Sequence, residues 1–233
     1  MNIKDHKFRM PSAYLKVFLQ HAQAVGLPLE SLLAGTSVAP EDLVQSDMGV
    51  TLEDTRRVLA NGARRLGAGW HLALAPRLTI PAHGPLGFAV VTASSLAAAV
   101  DVLLRYISIR GPFLGLSGAR EENDYVIRLY ETTEMGGQRQ TLVELAMLSI
   151  QVLLERPLGR EIEGADIAFA CSPPAYRDQL ENAFHGNLSF NARRHSLRFP
   201  CAWLDEPCAL HDEAMHRYLL ARCEDEMQSA LGM

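Results

Sequence analysis

Lysine is scarce in this sequence, and its scarcity limits what the chain can bind. The last lysine is Lys16, the formal net charge of the 233 residues is −5, and the arginines are scattered singly or in short pairs such as Arg193-Arg194. A domain that grips nucleic acid usually concentrates its positive charge on one face. The charge pattern therefore predicts that this chain, taken alone, is a poor DNA binder.

Long apolar runs are also absent. The best candidate, LGFAVVTASSLAAAVDVLL, is interrupted by polar residues that include Asp101, whereas a membrane-spanning helix needs roughly 18 apolar residues in succession. The N-terminus MNIKDHKFRM is charged and has no apolar segment behind it, so it does not have the form of a secretory signal. We therefore expect a cytoplasmic protein without a membrane partner.

Cysteine and histidine do not combine into a recognisable metal site. The four cysteines lie at intervals of 30, 7 and 15 residues, a spacing that fits neither a disulfide framework nor a zinc site. The run HDEAMH resembles a metalloprotease helix, but His211 and His216 are five residues apart and would leave a helix about 140° from each other. We expect no metal and no other cofactor, and we interpret Asp212 and Glu213 as favourable charges at the start of a last helix.

Signatures of catalysis are missing as well. The sequence contains no GxSxG nucleophile motif and no phosphate-binding loop of the Walker type. The glycines of GPLGF and FLGLSG do not follow the spacing that dinucleotide binding requires. The chain is therefore not expected to be an enzyme.

Helical signals dominate the first part of the chain. YLKVFLQHAQAVG spaces its apolar residues at helical intervals, and VTLEDTRRVLANGARRLG contains Thr51 followed three residues later by Asp54, a variant of the capping box. SSLAAAVDVLLRYISIRG predicts a further helix with one apolar face. On the opposite side of this helix, Asp101 and Arg105 are expected to form an ion pair in water.

Strand signals appear in the second part. FLGLSGAREENDYVIRLYE predicts a β-hairpin around EEND, ADIAFAC predicts a buried strand, and LSFNARRHSLRFP predicts two more. Two helices are predicted between them, GQRQTLVELAMLSIQVLLERPLG ending before Pro157 and PPAYRDQLENAFHG beginning at its prolines. Strands and helices without regular βαβ units indicate an α+β fold. We predict an N-terminal helical lobe in residues 1–80, a mostly antiparallel sheet with packed helices in residues 81–208, and a terminal helix in residues 209–233.

Polar residues on otherwise apolar segments mark where a small ligand could bind. These candidates, together with two phenylalanines close to them in the sequence, are His83, Phe88, Tyr106, Arg110, Phe113 and Glu144. Arg110 and Tyr106 are the preferred polar anchors, at the place where the sheet would meet the helix of residues 95–110. Two alternatives stay open: Arg110 can satisfy the last carbonyls of its helix, and Glu144 can face water, since burying a lone carboxylate is costly.

Several short stretches together resemble one known family over roughly residues 12–225. They are a glycine-leucine-glycine segment, a serine-leucine helix start, an arginine-tyrosine pair, an aromatic residue, and the later runs Leu-x-Phe-Pro, Leu-Asp-x-Pro and Asp-x-Ala-Met-His. The residues concerned are Gly84, Leu86, Gly87, Ser95, Leu96, Arg105, Tyr106, Phe190, His195, Leu197, Phe199, Pro200, Leu204, Asp205, Pro207, Asp212, Ala214, Met215 and His216. This layout resembles the N-terminal effector-binding domain of one branch of AraC/XylS transcription regulators, a branch often labelled arabinose-binding although it differs from the cupin sensor of the arabinose regulator itself.

The resemblance implies a bacterial regulator whose N-terminal domain senses a small-molecule effector and forms a homodimer, while a C-terminal pair of helix-turn-helix motifs binds DNA. That C-terminal half does not follow Met233, so we expect an isolated sensor domain that meets DNA only through the missing half. The effector would favour one conformation or dimer arrangement, for which ~1–3 kcal/mol of differential affinity suffices. The sequence leaves the effector open among amines, amino acids, fatty acids and other metabolites.

Two other functions stay open at this point. A haem or gas sensor can also place a helical lobe before an α+β lobe, although the helix of residues 95–110 has no histidine to bind iron. A small hydrolase or transferase would need a nucleophile and a base in one pocket.

The predicted terminal helix has apolar residues on two sides. Leu219, Cys223 and Met227 share one side, and Ala214 and Tyr218 belong to another. A helix with two apolar sides needs two packing partners. We expect this helix to pack on its own domain and on a second subunit.

Overall fold

The computed structural model describes residues 9–40 and 49–231 of the chain. The segment MNIKDHKF, part of the N-terminus that the sequence predicts not to be a secretory signal, lies outside the described residues. The first elements are β1 (Arg9–Pro11), α1 (Ser12–Ala24), α2 (Leu29–Leu33), β2 (Gly49–Thr51), α3 (Leu52–Leu66) and two 3₁₀ segments, Trp70–Arg77 and Ile80–His83. The predicted cap of α3 is confirmed, because the Thr51 hydroxyl accepts the backbone N–H of Asp54 at 3.1 Å.

The middle of the chain contains two packed helices, a hairpin and the longest helix of the described residues. Its elements are α4 (Gly84–Val91), α5 (Leu96–Tyr106), a 3₁₀ segment Ile107–Ile109, β3 (Leu114–Glu121), β4 (Asp124–Glu131), a 3₁₀ segment Gly136–Gln138 and α6 (Arg139–Leu158). The hairpin around EEND is confirmed, since β3 and β4 pair antiparallel along their whole length. The prediction that α6 ends before Pro157 is wrong: Pro157 lies in its last turn, and Gly159 ends the helix in a left-handed conformation.

The last part alternates short strands with helices. Its elements are β5 (Asp166–Ala168), α7 (Arg177–Ala183), β6 (Asn187–Ser189), β7 (His195–Pro200), a 3₁₀ segment Cys201–Asp205 and α8 (Glu213–Leu231). Helix α7 begins at Arg177, later than predicted, and a turn precedes it, in which the Arg177 N–H donates to the Pro174 carbonyl at 3.1 Å. The two strands predicted in LSFNARRHSLRFP are present, but β5 lies between them in the sheet.

The five-stranded sheet has the order β3-β4-β7-β5-β6, and every pairing is antiparallel except that of β5 with β6. The predicted α+β class and the mostly antiparallel sheet are therefore confirmed. Ile127, Leu197 and Ile167 lie side by side on adjacent strands and are fully buried. Such a row keeps the register of the sheet, because a slip by one residue would turn the apolar side chains to the other face.

One contiguous hydrophobic core runs through the described residues from Met10 to Cys223. Helix α6 has buried residues around most of its circumference, and only Arg139 and Arg156 at its two ends are exposed. Helix α8 packs mainly on α4, and its side that carries Leu219 and Cys223 is buried. The predicted packing of this helix on its own domain is therefore confirmed.

The division into segments 1–80, 81–208 and 209–233 stays a prediction. Within the described ranges, no helix is both long and apolar enough to cross a membrane.

Candidate functional site

A small cavity lies where α1, α6 and the first two strands of the sheet meet. Its volume is about 70 Å³, and apolar side chains such as Phe18, Leu116 and Leu145 form most of its wall. Arg110 and Phe113, two of the six predicted residues, belong to the wall through the connection between α5 and β3. The cavity therefore lies where the sheet meets the end of the predicted helix, and its occupation by a ligand stays a prediction.

Arg110 is the charged group of this cavity. It follows the 3₁₀ segment that extends α5, and only 6% of its surface is exposed. One terminal nitrogen donates to the Glu226 carboxylate of α8 at 2.5 Å, while Nε meets no acceptor in the part of the chain that the structure describes. The Arg110 side chain therefore connects the cavity to the terminal helix. It bonds to Glu226 rather than to the last carbonyls of its own helix.

Gly84 provides the space that the Arg110 guanidinium occupies. The backbone of Gly84 has a φ of +56°, and a Cβ at this position would lie 2.5 Å from a terminal nitrogen of Arg110. A side chain here would meet both a strained backbone and a steric clash. The glycine is thus a structural condition for the Arg110–Glu226 contact.

His83 does not line the cavity but contacts Tyr14, which does. The Tyr14 hydroxyl is 2.9 Å from Nδ1 of His83, and Nε2 is 3.3 Å from the carbonyl oxygen of Leu78. Because a carbonyl only accepts, Nε2 carries the proton and Nδ1 accepts from the hydroxyl. Burial lowers the pKa of His83 to about 4; the bond to Leu78 opposes the shift and the charge of Arg110 adds to it. Burial also raises the pKa of Tyr14, so both groups are neutral at pH 7.

Tyr106 contacts α8 rather than the cavity. Its hydroxyl donates to a Glu224 oxygen at 3.0 Å, and Arg105 donates to the same oxygen at 2.8 Å. Burial, and then the bond to Glu224, raise the pKa of Tyr106. The prediction that Arg105 pairs with Asp101 is wrong, because α8 brings Glu224 within its reach. The end of α5 and the residues after it are therefore joined to α8 at two places, Glu224 and Glu226.

Phe88 lies on α4, where its side chain is 42% exposed. Helix α4 is the main packing partner of α8, so Phe88 belongs to the outer surface of this helix pair. It is not among the described residues that line the cavity. The structure therefore does not bring Phe88 together with Arg110 and Phe113.

Glu144 is fully buried in α6, within a polar cluster separate from the cavity. Its carboxylate lies 2.5 Å from Nε2 of His71 and accepts from Tyr176 at 3.1 Å and from Gln140 at 2.9 Å. The alternative in which Glu144 faces water is wrong, because these partners compensate its burial. His71 and Tyr176 were missed, and no local pattern could have found them, since they lie 73 and 32 residues from Glu144 in the chain.

A larger groove borders the 3₁₀ segment Trp70–Arg77, α6 and α7. Its volume is about 750 Å³, and its wall includes both acidic and basic side chains, among them Glu155, Arg156 and His185. Glu155 is already engaged, by His185 at 2.7 Å and by the backbone N–H of Ile162 at 3.1 Å. None of the six predicted residues is among the described residues of this wall, and neither is any residue of α8.

The run HDEAMH attaches α8 to α4. His211 precedes the helix and its Nδ1 lies 3.1 Å from the carbonyl oxygen of Thr92, while Nδ1 of His216 lies 2.9 Å from that of Ala89. Asp212 caps the helix by accepting the backbone N–H of Met215 at 2.9 Å. Among the described residues, no group of three or more histidine, cysteine or acidic side chains is arranged to hold a metal ion.

Comparisons with known proteins agree on one class. The family model described as the arabinose-binding domain of AraC transcription regulators, N-terminal, matches residues 26–208. Because that span exceeds half of the chain, the chain belongs to this family, and it is the regulatory N-terminal domain of an AraC-type transcription regulator. The family that the sequence pattern resembles is thereby confirmed.

Individual relatives are distant but cover nearly the whole chain. The ornithine utilization regulator of Pseudomonas aeruginosa is 24% identical over 216 residues, which are 92% of this chain and 64% of that protein. An HTH-type transcriptional regulator of Mycobacterium tuberculosis is 23% identical over 228 residues, 94% of this chain and 66% of that protein. The crystal structure of the transcriptional regulator CdpR from Pseudomonas aeruginosa has a TM-score of 0.67 at 12% identity, and the match covers 94% of this chain and 66% of CdpR. This last likeness shows the fold, and the chain spans about two thirds of the length of these relatives.

Proposed function

We propose that this domain binds a small-molecule effector in the cavity beside Arg110 and passes the change to the rest of a longer regulator through α8. The observation that carries the proposal is the buried Arg110, which lines the cavity and also bonds to Glu226 of α8. A ligand that alters the position of this side chain alters a contact of the terminal helix. For such coupling between the cavity and α8, the ligand must bind one arrangement of α8 more tightly than the other, with a difference in binding free energy of ~1–3 kcal/mol.

DNA binding belongs, in this proposal, to a part of the regulator outside the chain. The relatives are longer than this chain, and one is named an HTH-type regulator. The net charge of −5 also supports DNA binding by another part of the regulator, since a negatively charged domain has little attraction for the phosphates of DNA. A regulator of this kind works beside the chromosome, so we place it in the cytoplasm of a bacterium, and we assign it no enzymatic role.

Dimerisation is the second part of the proposal. Large apolar side chains stay exposed on α4, α8 and the residues before α8, namely Phe88 at 42%, Leu210 at 64%, Met215 at 47% and Tyr218 at 61%. An exposed apolar surface of this kind is typical of a protein contact, and a second copy of the chain is the partner we propose for it.

Thermal shift with a panel of amines, amino acids and carboxylic acids tests the effector proposal. A compound present at a hundred times its dissociation constant adds roughly 2.7 kcal/mol to the free energy of unfolding. Ala146→Phe fills the cavity from α6 and should abolish the shift, whereas Ala119→Phe on the exposed side of β3 should keep it. A shift that survives in Ala146→Phe would move the effector site elsewhere, and no shift with any compound would count against the sensor function.

A further inference from the structure

The cavity wall contains few polar side chains, and most are already engaged. Tyr14 donates its hydroxyl hydrogen to His83, and the Ser149 hydroxyl donates to the backbone carbonyl of Leu145 at 2.9 Å. Arg110 keeps an unused donor, because its Nε meets no acceptor within the described ranges. Among the described residues of the wall there is no carboxylate. A ligand that enters therefore meets apolar side chains and one cation.

The two members of the Arg110–Glu226 pair differ in how firmly they are held. The Arg110 side chain is 7% exposed, whereas that of Glu226 is 35% exposed. A guanidinium does not lose its proton, and an unpaired charge at this depth is costly, so Arg110 needs an anion beside it at all times. Glu226 can turn into water at small cost. The cation is thus a fixed part of the site, and the anion that neutralises it is exchangeable.

The Arg110 guanidinium also has a hydrogen-bond donor without an acceptor among the described residues. Nε and a neighbouring terminal nitrogen form a fork that matches the two oxygens of one carboxylate. Glu226 engages the terminal nitrogen and leaves Nε without an acceptor. A carboxylate that approaches from the cavity can satisfy both donors, which gives it an advantage over the resident side chain.

We propose that the effector is a small monocarboxylate with a short apolar body, and that its carboxylate takes the place of Glu226 on Arg110. This inference rests on the proposed function of the cavity as the effector site. The apolar body occupies the space between α1, α6 and the sheet, and the released Glu226 turns to solvent. Helix α8 then keeps its contacts through Glu224 but loses its tie to Arg110.

The volume of the cavity limits the size of the apolar body. An apolar cavity of about 150 Å³ accommodates benzene, so 70 Å³ holds a body of only a few carbon atoms. An amine of the same size would bring a second positive charge to Arg110, and an alcohol would leave that charge unpaired once Glu226 is displaced. Ornithine, named in one relative, carries two amino groups for which the described wall offers no carboxylate.

Isothermal titration calorimetry with three ligands of one shape tests the inference. Butyrate, 1-butanol and butylamine share a short apolar body that suits this volume and differ in the polar end. Hydrogen bonds to a charged group contribute enough to predict that butyrate binds at least about tenfold more tightly than 1-butanol, with butylamine the weakest. Equal affinity of butyrate and 1-butanol would overturn the inference.

Two variants test the exchange of anions. Glu226→Gln removes the competing carboxylate, so butyrate should bind several-fold more tightly to it than to the wild type, and should raise its thermal stability by more. Arg110→Gln should lose the preference for butyrate over 1-butanol. Glu213→Gln, which changes an exposed glutamate on the same helix that pairs with Arg217, is the matched control and should bind butyrate as the wild type does.

The outcomes separate this inference from the proposed function. Unchanged or weaker butyrate binding in Glu226→Gln would overturn the exchange, and this variant decides even if Arg110→Gln does not fold. If an alcohol or an amine binds best and Ala146→Phe abolishes that binding, the carboxylate inference fails while the sensor function stands. If neither these ligands nor the wider panel bind, both fail.

Discussion

Single residues connect the cavity to α8. Arg110 is buried and permanently charged, Glu226 neutralises it from α8, and Gly84 leaves the space in which the two meet. His83 keeps Tyr14 in the cavity wall from behind. The free energy of unfolding should therefore fall when Gly84 is given a side chain, and it should depend on pH through His83.

Gly84→Ala should lower the free energy of unfolding by about 1–3 kcal/mol, because alanine is strained at a φ of +56° and its Cβ would meet the Arg110 guanidinium. Urea unfolding measures the change. Gly137→Ala is the matched control, since a Cβ there meets nothing within 4 Å, and it should be neutral or slightly stabilising. Equal stability of the two variants would contradict the close approach of Arg110 to Gly84.

His83 should make the domain less stable in mild acid. Its pKa is about 4 in the folded chain against an ordinary value of 6.5, so between these values the unfolded chain binds a proton that the folded chain does not. The free energy of unfolding should therefore fall as the pH is lowered from 7 to 4, with up to about 3 kcal/mol from this residue.

Urea unfolding of the wild type and of His83→Gln between pH 8 and pH 4.5 checks this dependence. His195 and His21 also have pKa values lowered, chiefly by burial, so the variant should keep a smaller slope rather than none. A slope equal to that of the wild type would show that His83 titrates normally in the folded chain.

The sequence identifies Arg110 as a candidate but cannot identify its contact. Its place near the end of an apolar helix face is visible from local spacing, whereas Glu226 lies 116 residues further along the chain. Glu144 shows the same limit, because its burial depends on His71 and Tyr176, which reach it only in the folded chain. Phe88, which the sequence predicts as a ligand contact, has a 42% exposed side chain on α4 and does not line the cavity.

Among the elements, α8 has one satisfied side and one exposed side. Leu219 and Cys223 pack on the domain, while Ala214 and Tyr218, which the sequence assigns to the second side, remain exposed, as does Met215 near the start of the helix. The sequence predicts both sides, because apolar residues recur at helical spacing on each. The partner of the exposed side is not part of the structure, and the proposed homodimer supplies one.

Tyr218→Glu combined with Met215→Glu should weaken self-association at least about tenfold, because buried aromatic residues dominate the energy of protein interfaces and a carboxylate in an apolar contact is unpaired. Sedimentation equilibrium measures the dimer dissociation constant. Val25→Glu changes an apolar residue that is 53% exposed at the end of α1, and it should leave the constant unchanged. A wild type that stays monomeric at every concentration would contradict the dimer.

Local patterns predicted the elements better than their arrangement. The hairpin β3–β4 and the helices α1, α3 and α5 follow from spacing and caps that lie within each segment. The position of β7 between β4 and β5 does not, since it depends on pairings between segments far apart in the chain. The start of α7 differs from the prediction, because residues 174–177 form a turn before the helix begins.

At the scale of the whole molecule, a small cavity and a terminal helix share one ion pair, which is the contact that the proposed function uses. The cavity is closed on one side by the sheet and α6, and Arg110 forms the link to α8. The effect of a ligand on the distant part of a regulator then needs no large rearrangement of the core. It needs a change in how firmly α8 is held.

Hydrogen–deuterium exchange of α8, with and without saturating butyrate, tests this central claim most directly. We expect butyrate to protect β3 and the middle of α6 while the amides of residues 219–230 exchange at least about fivefold faster, the lower end of usual coupling between sites. In Glu226→Gln these amides should exchange fast already and respond little to the ligand. Protection of the cavity wall with unchanged or slower exchange in α8 would contradict the account.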